Sequence, residues 1–400
     1  MSDFKRILIA TYGESGYARD IVIGANRYAY EVGSWFMTHA IEGQWPLEVR
    51  WDGVLGCFGW RTNRDQVAGL LRATSHLVSV AQFLNDVPEL IFIGQDNERI
   101  GALAAEHFLD RGFRHYAMLK DAGYWSTLLR AKGYRDRVSK DGFEVRESKA
   151  TWADWRHPGR DAGRQGRWLR ELPKPCALFC NSDGVAWQAS ISCHVVGIAV
   201  PDEVAILGVD DNELYTHAVT PALSSVRTNA ERIGYEGARQ LHALMRGEKP
   251  PREPRLIEPE GVMLRGSTDT IAIDDPELKA AVRFMRAHAC EGIGVGDVVR
   301  AVALSRRTLE MKVRRVLGRT PRQELARQRL ERAKELLLAT DLKVADVARR
   351  TGFESLERFV TVFKRAAGLR PTDFRRRHRR PTGWAFDVAA AQPYGQPADH

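Results

Sequence analysis

The chain has 400 residues, of which 44% are hydrophobic and 28% charged, and this length predicts two or three globular domains rather than one. Its longest apolar runs have the size of a strand, as at 176–180, so we expect no membrane-spanning segment. The opening "MSDFKRILIATYG" holds an apolar run much shorter than a secretory signal requires, which favours a cytoplasmic protein.

The net charge of +9 is unevenly distributed along the chain. Residues 276–400 hold 27 lysines and arginines against 14 aspartates and glutamates, whereas residues 1–275 hold 33 against 37. The basic excess therefore lies in the last third of the chain, which predicts a polyanion as the partner of that part.

The cysteines are odd in number, and their spacing matches neither disulfide pairs nor a metal-binding cluster with histidines. We therefore expect buried thiols, no metal and no cofactor. The five are Cys57, Cys176, Cys180, Cys193 and Cys290.

Between residues 5 and 270, short apolar segments alternate with amphipathic ones. This alternation predicts parallel, doubly wound α/β sheets, and the length suits two lobes. Predicted strands lie at 6–11, 51–59, 76–82, 115–120, 176–182 and 203–211, and predicted helices at 97–111, 127–140, 183–198 and 229–246.

Three aspartates follow strand-like segments. Ligands of doubly wound sheets bind beyond the carboxyl ends of the strands, which makes Asp96, Asp183 and Asp210 candidate ligand contacts. Asp183 and Asp210 have a second interpretation, because an aspartate after a strand can simply cap the helix or turn that follows.

Four segments resemble the LacI-type sugar-sensing fold, which is shared with periplasmic sugar-binding proteins. They are "DNERIGALAAEHFLDRGFRHYAML" at 96–119, "CNSDGVA" at 180–186, "VAILGVDD" at 204–211 and "GVMLRGST" at 261–268. The resemblance implies a two-lobed sensor that binds a sugar between its lobes.

By position, the same resemblance implies a sugar pocket. Carboxylates and a guanidinium can each hold two sugar hydroxyls, while an aromatic ring covers the apolar face of the sugar. Ser182 stands where the wider family often has asparagine, which leaves the identity of the sugar open. The pocket residues are Asp96, Arg130, Ser182, Asp183 and Asp210, and the aromatic candidates are Trp125, Trp152, Trp155, Trp187 and Phe179.

The segment "VADVARRTGFESLERFVTVFKRAAGLRPTDFR" at 344–375 predicts two helices joined by a turn. Gly352 permits the turn and Ser355 caps the second helix, while Gly368 and Pro371 separate that helix from the next. Apolar residues at helical spacing predict the buried face of the second helix. They are Phe359, Val362, Phe363 and Ala366.

The same pattern occurs once before, about 50 residues earlier. Ser305, Gly318 and Pro321 correspond to Ser355, Gly368 and Pro371, and Val295 corresponds to Val344 as the start of the preceding helix. Two helix-turn-helix units are therefore predicted. A helical stripe at Ala326, Leu330, Ala333 and Leu337 predicts a rigid helix between them, which would separate their reading helices by about 34 Å, one turn of DNA.

Residues 276–380 resemble the AraC family of transcription regulators, the second unit most specifically. In that family the second helix of each unit enters a major groove of double-stranded DNA, where some side chains read bases and others bind phosphates. The alternative is an ordinary charged surface on a helical bundle. The implied base-reading residues are Arg307, Glu310 and Met311 in the first unit and Leu356, Glu357, Arg358 and Thr361 in the second, and the implied phosphate contacts are Arg306, Lys312, Arg314, Lys364 and Arg365.

The order of the two parts resembles the XylR-type regulators of bacterial xylose operons. It implies an activator that responds to D-xylose, binds operator half-sites as a homodimer and contacts RNA polymerase. The alternative is the same architecture sensing another sugar or small ligand, or acting as a repressor. The predicted parts are a ligand-sensing domain at 1–270, a DNA-binding domain at 271–380 and a disordered tail at 381–400.

Motifs of the common enzyme classes are missing from the sequence. It contains neither a phosphate-binding loop nor a nucleophile elbow, and "GIGVG" at 292–296 lies between predicted helices instead of after a strand. We therefore expect no catalytic residues and no enzyme activity.

Overall fold

The structure, a computed structural model, describes residues 4–378 except 13–14, 42–43, 59–63, 82–86, 88–89, 120–124, 149–157, 252, 271 and 274. For residues 158–164, 335, 338–339 and 377–378 it describes the backbone only. The chain divides into two compact units, Met1–Asp274 and Asp275–His400, and each is described by itself. The predicted disordered tail at 381–400 lies outside the described residues.

The first lobe of the first unit is built on a parallel sheet. Its central strands are apolar on both faces because helices cover both sides of the sheet. Across the described part of the sheet the order is β11 (Arg255–Ile257), β5 (Ile91–Gln95), β4 (Leu77–Ser79), β3 (Gly53–Cys57), β1 (Lys5–Thr11) and β2 (Trp35–Ile41). The helices of this lobe are α1 (Gly16–Val32), α2 (Arg64–Ala73) and α8 (Ala230–Met245).

The second lobe repeats this arrangement around a mixed sheet. All of its strand pairs in the described residues are parallel except the pair of β10 with β12. The order is β12 (Gly261–Met263), β10 (Ser224–Arg227), β9 (Val204–Val209), β8 (Cys176–Cys180), β6 (His115–Leu119) and β7 (Val145–Glu147). The helices are α3 (Asn97–Leu109), α4 (Trp125–Ser139), α5 (Pro158–Glu171), α6 (Asp183–Val195) and the short α7 (Glu213–Thr216).

The chain crosses between the lobes three times. After β5, helix α3 enters the core of the second lobe through Ile100 and Phe108. After β10, helix α8 returns to the core of the first lobe through Ile233 and Leu241, and the chain crosses again between β11 and β12. The prediction of a two-lobed α/β sensor fold is confirmed.

The second unit is helical throughout its described residues. Two helix-turn-helix units flank a long connecting helix, as predicted. The helices are α9 (Pro276–His288), α10 (Val295–Ala301), α11 (Arg306–Leu317), α12 (Pro321–Ala339), α13 (Val344–Arg350), α14 (Leu356–Ala367) and α15 (Pro371–His378).

The second helices of the two helix-turn-helix units, α11 and α14, which we call the reading helices, begin and end in the same way. The Ser305 hydroxyl accepts a hydrogen bond from the Thr308 amide at 3.1 Å, and the Ser355 hydroxyl accepts one from the Arg358 amide at 3.2 Å. Each helix has twelve residues and ends at a glycine with positive φ. The predicted caps are confirmed in both units.

The buried face of α14 differs in one residue from the prediction. Phe359 and Phe363 are fully buried and pack against Leu330 and Leu337 of α12. Ala366 is exposed, so its prediction as a core residue was wrong. The buried row advances by four residues at each step, from Phe359 through Phe363 to position 367, and Ala366 lies beside that row.

Helix α12 also carries a buried carboxylate, Glu324, whose exposure is 0%. Its oxygens accept hydrogen bonds from Arg319 at 2.6 Å, Arg327 at 3.1 Å and Gln328 at 2.8 Å, and Arg286 of α9 lies 3.7 Å away. Burial alone would raise the pKa of Glu324, but the arginines and Gln328 outweigh it and lower that pKa to about 2. Glu324 thus joins α9, the end of the first reading helix and α12.

Candidate functional site

The buried guanidinium of Arg130 is the centre of the cleft between the two lobes. Arg130 lies on α4 and is 5% exposed. Its Nε donates to Asn97 Oδ1 at 2.9 Å, its Nη2 donates to Gln95 Oε1 at 3.1 Å, and its Nη1 donates to the Asn181 carbonyl. The same Nη2 lies 3.5 Å from Asp210 Oδ1. One side chain therefore joins the carboxyl ends of β5, β8 and β9.

Asp210 follows β9 in an unusual backbone conformation. Its φ is 100° and that of Asp211 is 53°, which are positions that residues with side chains rarely adopt. Burial raises the pKa of Asp210, although the neighbouring charge of Arg130 works in the opposite direction. Asp211 holds the turn in place by accepting hydrogen bonds from Arg227 at 2.7 Å and by an ion pair with Arg265 at 2.8 Å. Strain of this kind concentrates at ligand-binding turns.

Asp183 supports the same turn from α6. Its Oδ2 accepts a hydrogen bond from the Asn212 amide at 2.7 Å, and its Oδ1 accepts one from the Ser225 hydroxyl at 2.7 Å. Burial, with the nearby charge of Asp210, raises the pKa of Asp183 well above its usual value. The capping residue of α6 is Ser182, whose hydroxyl accepts from the Val185 amide at 3.4 Å. Asp183 therefore shapes the 210–212 turn and does not cap its own helix.

The first lobe faces these groups with residues between the end of β1 and the first turns of α1. The charges of Asp210 and Arg130 act on the Tyr12 hydroxyl, which also hydrogen-bonds the Ser15 hydroxyl at 2.9 Å. Burial raises the pKa of Tyr12, and the charge of Asp20 in turn acts on Asp210. The two lobes thus bring carboxylates, hydroxyls and a guanidinium into one cleft.

The lobes also touch at the rim of this cleft. Gly16 begins α1, and a Cβ on it would lie 3.1 Å from Cγ of Asn212, in the turn after β9. Such a contact is tighter than most packed pairs, so a larger residue at position 16 would require the Asn212 side chain to shift by a few tenths of an ångström. The structure therefore has the two lobes in direct contact at this rim.

The five predicted sugar contacts do not all meet. Arg130 and Asp210 pair directly, and Asp183 reaches them through the 210–212 turn. Asp96 caps α3 by accepting from the Arg99 amide at 2.9 Å, and it borders a cavity of about 700 Å³ that also includes Phe92 and Trp125.

The aromatic candidates also separate. Phe179 is fully buried in the core of the second lobe, 4.9 Å from the ring of Tyr134, so its prediction as a stacking residue was wrong. A residue inside the central strand β8 faces the helices that cover its sheet, and this removes it from the cleft. Trp187 packs against Tyr215, and Trp152 and Trp155 lie outside the described residues.

Several residues of the cleft were missed at the sequence level: Gln95, Asn97 and Asn181, which bind Arg130, and Tyr12, Tyr17 and Asp20 from the first lobe. Tyr12 directly follows β1, so the rule that ligands bind beyond the strand ends could have found it. Tyr17 and Asp20 lie in the first turns of α1, and only the packing of the lobes relates them to Arg130 and Asp210.

The reading helices expose every residue for which the sequence predicts base contact. Met311 is 62% exposed and Leu356 44%, although both are apolar. The opposite faces are buried, through Leu309 and Val313 in α11 and the two phenylalanines in α14. The exposed set is Arg307, Glu310, Met311, Leu356, Glu357, Arg358 and Thr361.

The predicted phosphate contacts have different surroundings. Lys312 is held by two carboxylates of the second unit, Asp275 at 2.6 Å and Glu277 at 3.0 Å, and it is only half-exposed. Lys364 and Arg365 are exposed and border a basic depression of about 640 Å³. Arg306 and Arg314 are exposed as well, and Arg306 pairs with Glu310 at 3.1 Å.

Other kinds of site find less support in the described residues. No three side chains of His, Cys, Asp or Glu come together there as a metal site requires. None of the helices within the described part of the chain is long and apolar enough to cross a bilayer. The thiols of Cys57, Cys176, Cys180 and Cys193 are buried.

Comparison with known proteins relates both units to regulators of transcription. Residues 105–268 match the periplasmic binding protein-like domain family, and residues 298–377 match a helix-turn-helix domain family. The xylose operon regulatory protein of Escherichia coli K12 is 28% identical over 391 residues, which cover 92% of this chain and 96% of that relative. The chain is a XylR-like transcription regulator.

Further relatives agree with this assignment. The xylose operon regulatory protein of Haemophilus influenzae is 28% identical to the regulator over 292 residues, which cover 72% of this chain and 75% of the relative. A solved structure of the xylose-binding transcription activator xylR is 27% identical, with a TM-score of 0.59, and the match covers 94% of this chain and 99% of that one.

A regulator from Alkaliphilus metalliredigens shares the fold of the sensor unit. This protein, of the periplasmic binding protein/LacI type and solved with D-xylulofuranose, has a TM-score of 0.54 at 18% identity and covers 66% of this chain and 100% of its own. Both family matches and the full-length relatives are those of a transcription regulator and not of an enzyme.

Proposed function

We propose that the regulator binds a sugar, with D-xylose as the first candidate, in the cleft around Arg130, and that this binding changes its affinity for DNA. The observation that carries the proposal is the pairing of Arg130 with Asp210 across strand ends that ligands of this fold occupy. Support for D-xylose comes from the two xylose operon regulatory proteins, which match most of the chain in the same order of parts.

The cleft has the chemistry that a small polyol requires. A sugar offers hydroxyls that both donate and accept, and charged groups form the strongest hydrogen bonds with them. Asp210 keeps 25% of its side chain exposed, so its carboxylate has acceptor capacity beyond its pair with Arg130. Tyr12 and Tyr17 add hydroxyls and aromatic surface from the first lobe. We assign Asp183 and Ser182 to positioning the turn and helix that present these groups.

The proposed switch rests on closure of the two lobes around the sugar. A sugar that contacts both lobes binds the closed state more tightly than an open one and shifts the population accordingly. Ligand-sensing residues 1–270 thereby control DNA-binding residues 271–380. We propose that the regulator acts as an activator in the cytoplasm, as a homodimer that also contacts RNA polymerase.

DNA reading is assigned to the two exposed helix faces. Arg307 and Arg358 can pair bidentately with guanine, and Glu310 and Glu357 can accept from cytosine. Lys364 and Arg365 suit the phosphates, because they are exposed beside the reading face.

The experiment joins effector binding to DNA binding. Calorimetric titration of the full chain with a panel of pentoses and hexoses should give the tightest binding for D-xylose. A duplex selected by the protein from a random library should then bind with a different Kd when that sugar is present. Tighter binding of another sugar would correct the effector alone, whereas an unchanged DNA affinity with every sugar would contradict the proposed switch.

A further inference from the structure

The turn of the second helix-turn-helix unit lies directly against the chain that leads into the first. Gly352, in the turn between α13 and α14, has a φ of +74°. A Cβ at this position would lie 2.9 Å from the Cys290 carbonyl oxygen, 2.9 Å from the Gly292 amide nitrogen and 3.0 Å from the Ala289 carbonyl oxygen. These neighbours are backbone atoms, so they cannot rotate away as a side chain could. The two helix-turn-helix units therefore meet at Gly352 and are not joined by α12 alone.

An arginine of the connecting helix closes the same contact. Arg329 of α12 donates from Nε to the Ala289 carbonyl at 2.8 Å and from Nη2 to the Ile293 carbonyl at 2.5 Å. The Ala289 carbonyl is itself one of the groups that Gly352 approaches, and Ile293 directly follows the others. The charges of Glu354 and Arg358, at the start of α14, also act on Arg329. The Arg329 guanidinium thus connects α12 with the segment that leads into the first helix-turn-helix unit, close to the start of α14 in the second helix-turn-helix unit.

The turn of the first helix-turn-helix unit differs from that of the second. Its turn holds Val302, Ala303 and Leu304, with no glycine. Gly318 and Gly368, which end the two reading helices, have φ angles of +67° and +70°, and a Cβ on either would meet no atom within 4 Å among the described residues. Of these three glycines, only Gly352 allows a close backbone approach, and it lies where the two helix-turn-helix units touch.

Resting on the DNA reading proposed above, we propose that the junction of Gly352, Arg329 and residues 289–293 is the positioning element that fixes the angle and separation of α11 and α14. Helix α12 alone would set the distance between the two helix-turn-helix units. Rotation of one unit about the axis of α12 would then be limited only by side-chain packing. The junction limits that rotation with backbone contacts and two hydrogen bonds to backbone carbonyls. It thereby determines the spacing that a single chain can bind between two half-sites, one read by α11 and the other by α14.

The test compares Gly352→Ala with Gly368→Ala. Both place alanine at a similar positive φ, so the backbone strain is matched, but only the Gly352 substitution forces the units apart. The wild-type full chain first selects a duplex from a random library. Fluorescence anisotropy then gives Kd for that duplex, for versions lengthened or shortened by one or two base pairs between the half-sites, and for versions with one half-site scrambled.

For Gly352→Ala we expect at least a tenfold loss of affinity for the selected duplex, a changed order of preference among the spacings, and little change on duplexes with one half-site. Gly368→Ala should keep the wild-type order of spacings. The same order in both variants would overturn the junction, and so would an equal loss on single half-sites.

A second pair of variants keeps the proposal testable if Gly352→Ala does not fold. Arg329→Lys keeps the positive charge but loses the two-carbonyl bridge, and Arg332→Lys makes the same change at an exposed position of the same helix. We expect a changed spacing preference in the first variant only, and identical spacing profiles in both would contradict the proposal. Failure of the wild-type chain to select any duplex would instead contradict the proposed DNA reading itself.

Discussion

The cleft and the reading helices both depend on arginines, but the two regions hold them in opposite ways. Arg130 is buried, and its guanidinium is bound by Asn97, Gln95 and Asn181 and paired with Asp210. Arg358 is exposed, and among the described residues it pairs with Glu354, four residues earlier, at 2.6 Å. A buried polar network is specified by all of its members, whereas an exposed side chain keeps the freedom to change partner. The cleft is therefore preorganised, and we expect the reading surface to exchange its ion pairs for contacts with DNA.

The largest effect of this difference is expected for Arg130→Met. The substitution leaves Asp210, Asn97 and Gln95 without their shared partner, so we expect the free energy of unfolding to fall by about 3–5 kcal/mol. Urea unfolding of the full chain measures it. Arg135→Met on the same helix is the control, because Arg135 pairs with Glu147 near the surface and should cost less than about 1 kcal/mol. Equal losses would show that Arg130 is not specially held.

A buried charge in the reading unit should behave like the cleft. The folded-state pKa of Glu324 is about 2, below its ordinary value of 4.5, so its stabilisation is present above about pH 4.5 and is lost as the pH falls toward 2. We expect Glu324→Gln to lower the free energy of unfolding by about 3 kcal/mol at pH 7, and by less at pH 3. Urea unfolding at both pH values checks this.

The control for Glu324 is Glu331→Gln on the same helix. Glu331 pairs with Lys334 at 2.9 Å and is about half exposed, so its loss should cost no more than about 0.5 kcal/mol at either pH. A Glu324→Gln effect that does not depend on pH would mean that the carboxylate charge is not what stabilises this cluster.

A third comparison separates the two aspartates that the sequence predicted as sugar contacts. Asp210→Asn removes a charged acceptor from the cleft, and we expect the sugar affinity to weaken by about 1.5–3 kcal/mol while salt-dependent DNA binding persists. Asp96→Asn keeps the cap of α3, because asparagine caps as well as aspartate. Calorimetry on both variants decides the matter: equal weakening would return Asp96 to the sugar site.

On the reading face, Arg358→Ala should relax discrimination at one base pair. We expect the penalty for a mismatch there to fall by about 1–3 kcal/mol, since a bidentate contact with a base is lost. Competition binding with single-base variants of the selected duplex measures this. A uniform loss across all variants would instead identify Arg358 as a phosphate contact.

The smallest effect concerns the two lysines. Lys364→Ala should weaken all duplexes alike and reduce the slope of log K against log salt by about one. Lys312→Ala should change the slope by less, because Asp275 and Glu277 already neutralise Lys312. Titration at several salt concentrations compares the two variants. A full unit of slope for Lys312 would mean that DNA displaces both carboxylates.

The helix-turn-helix units were predictable because their signals are local. Ser305 and Ser355 cap helices a few residues away, and the glycines that end those helices act through their own backbone. The duplication repeated each signal, so the two copies supported one another. The base-reading residues came by position from the resemblance to the AraC family, and helical periodicity predicted most of the buried face of α14.

The sensor was predictable in class but not in detail. Strand β2 (Trp35–Ile41) was missed because its polar and apolar residues do not alternate cleanly at the edge of the sheet. Tyr17 and Asp20 join the cleft only because the lobes pack together, a relation over long sequence separations that no local pattern encodes. The same holds for Gly352, whose place in a sharp turn was predicted but whose contact with residues 289–292 was not.

The reading helices α11 and α14 have equal lengths and matching ends, yet they expose unlike residues. Arg307 and Met311 occupy one face, and Leu356 and Thr361 the other. A chain built this way would bind an asymmetric DNA site in one orientation. If the site were reversed, each helix would meet the bases that the other helix reads. The base sequence of the site would therefore also determine which surface of the protein faces the start of transcription.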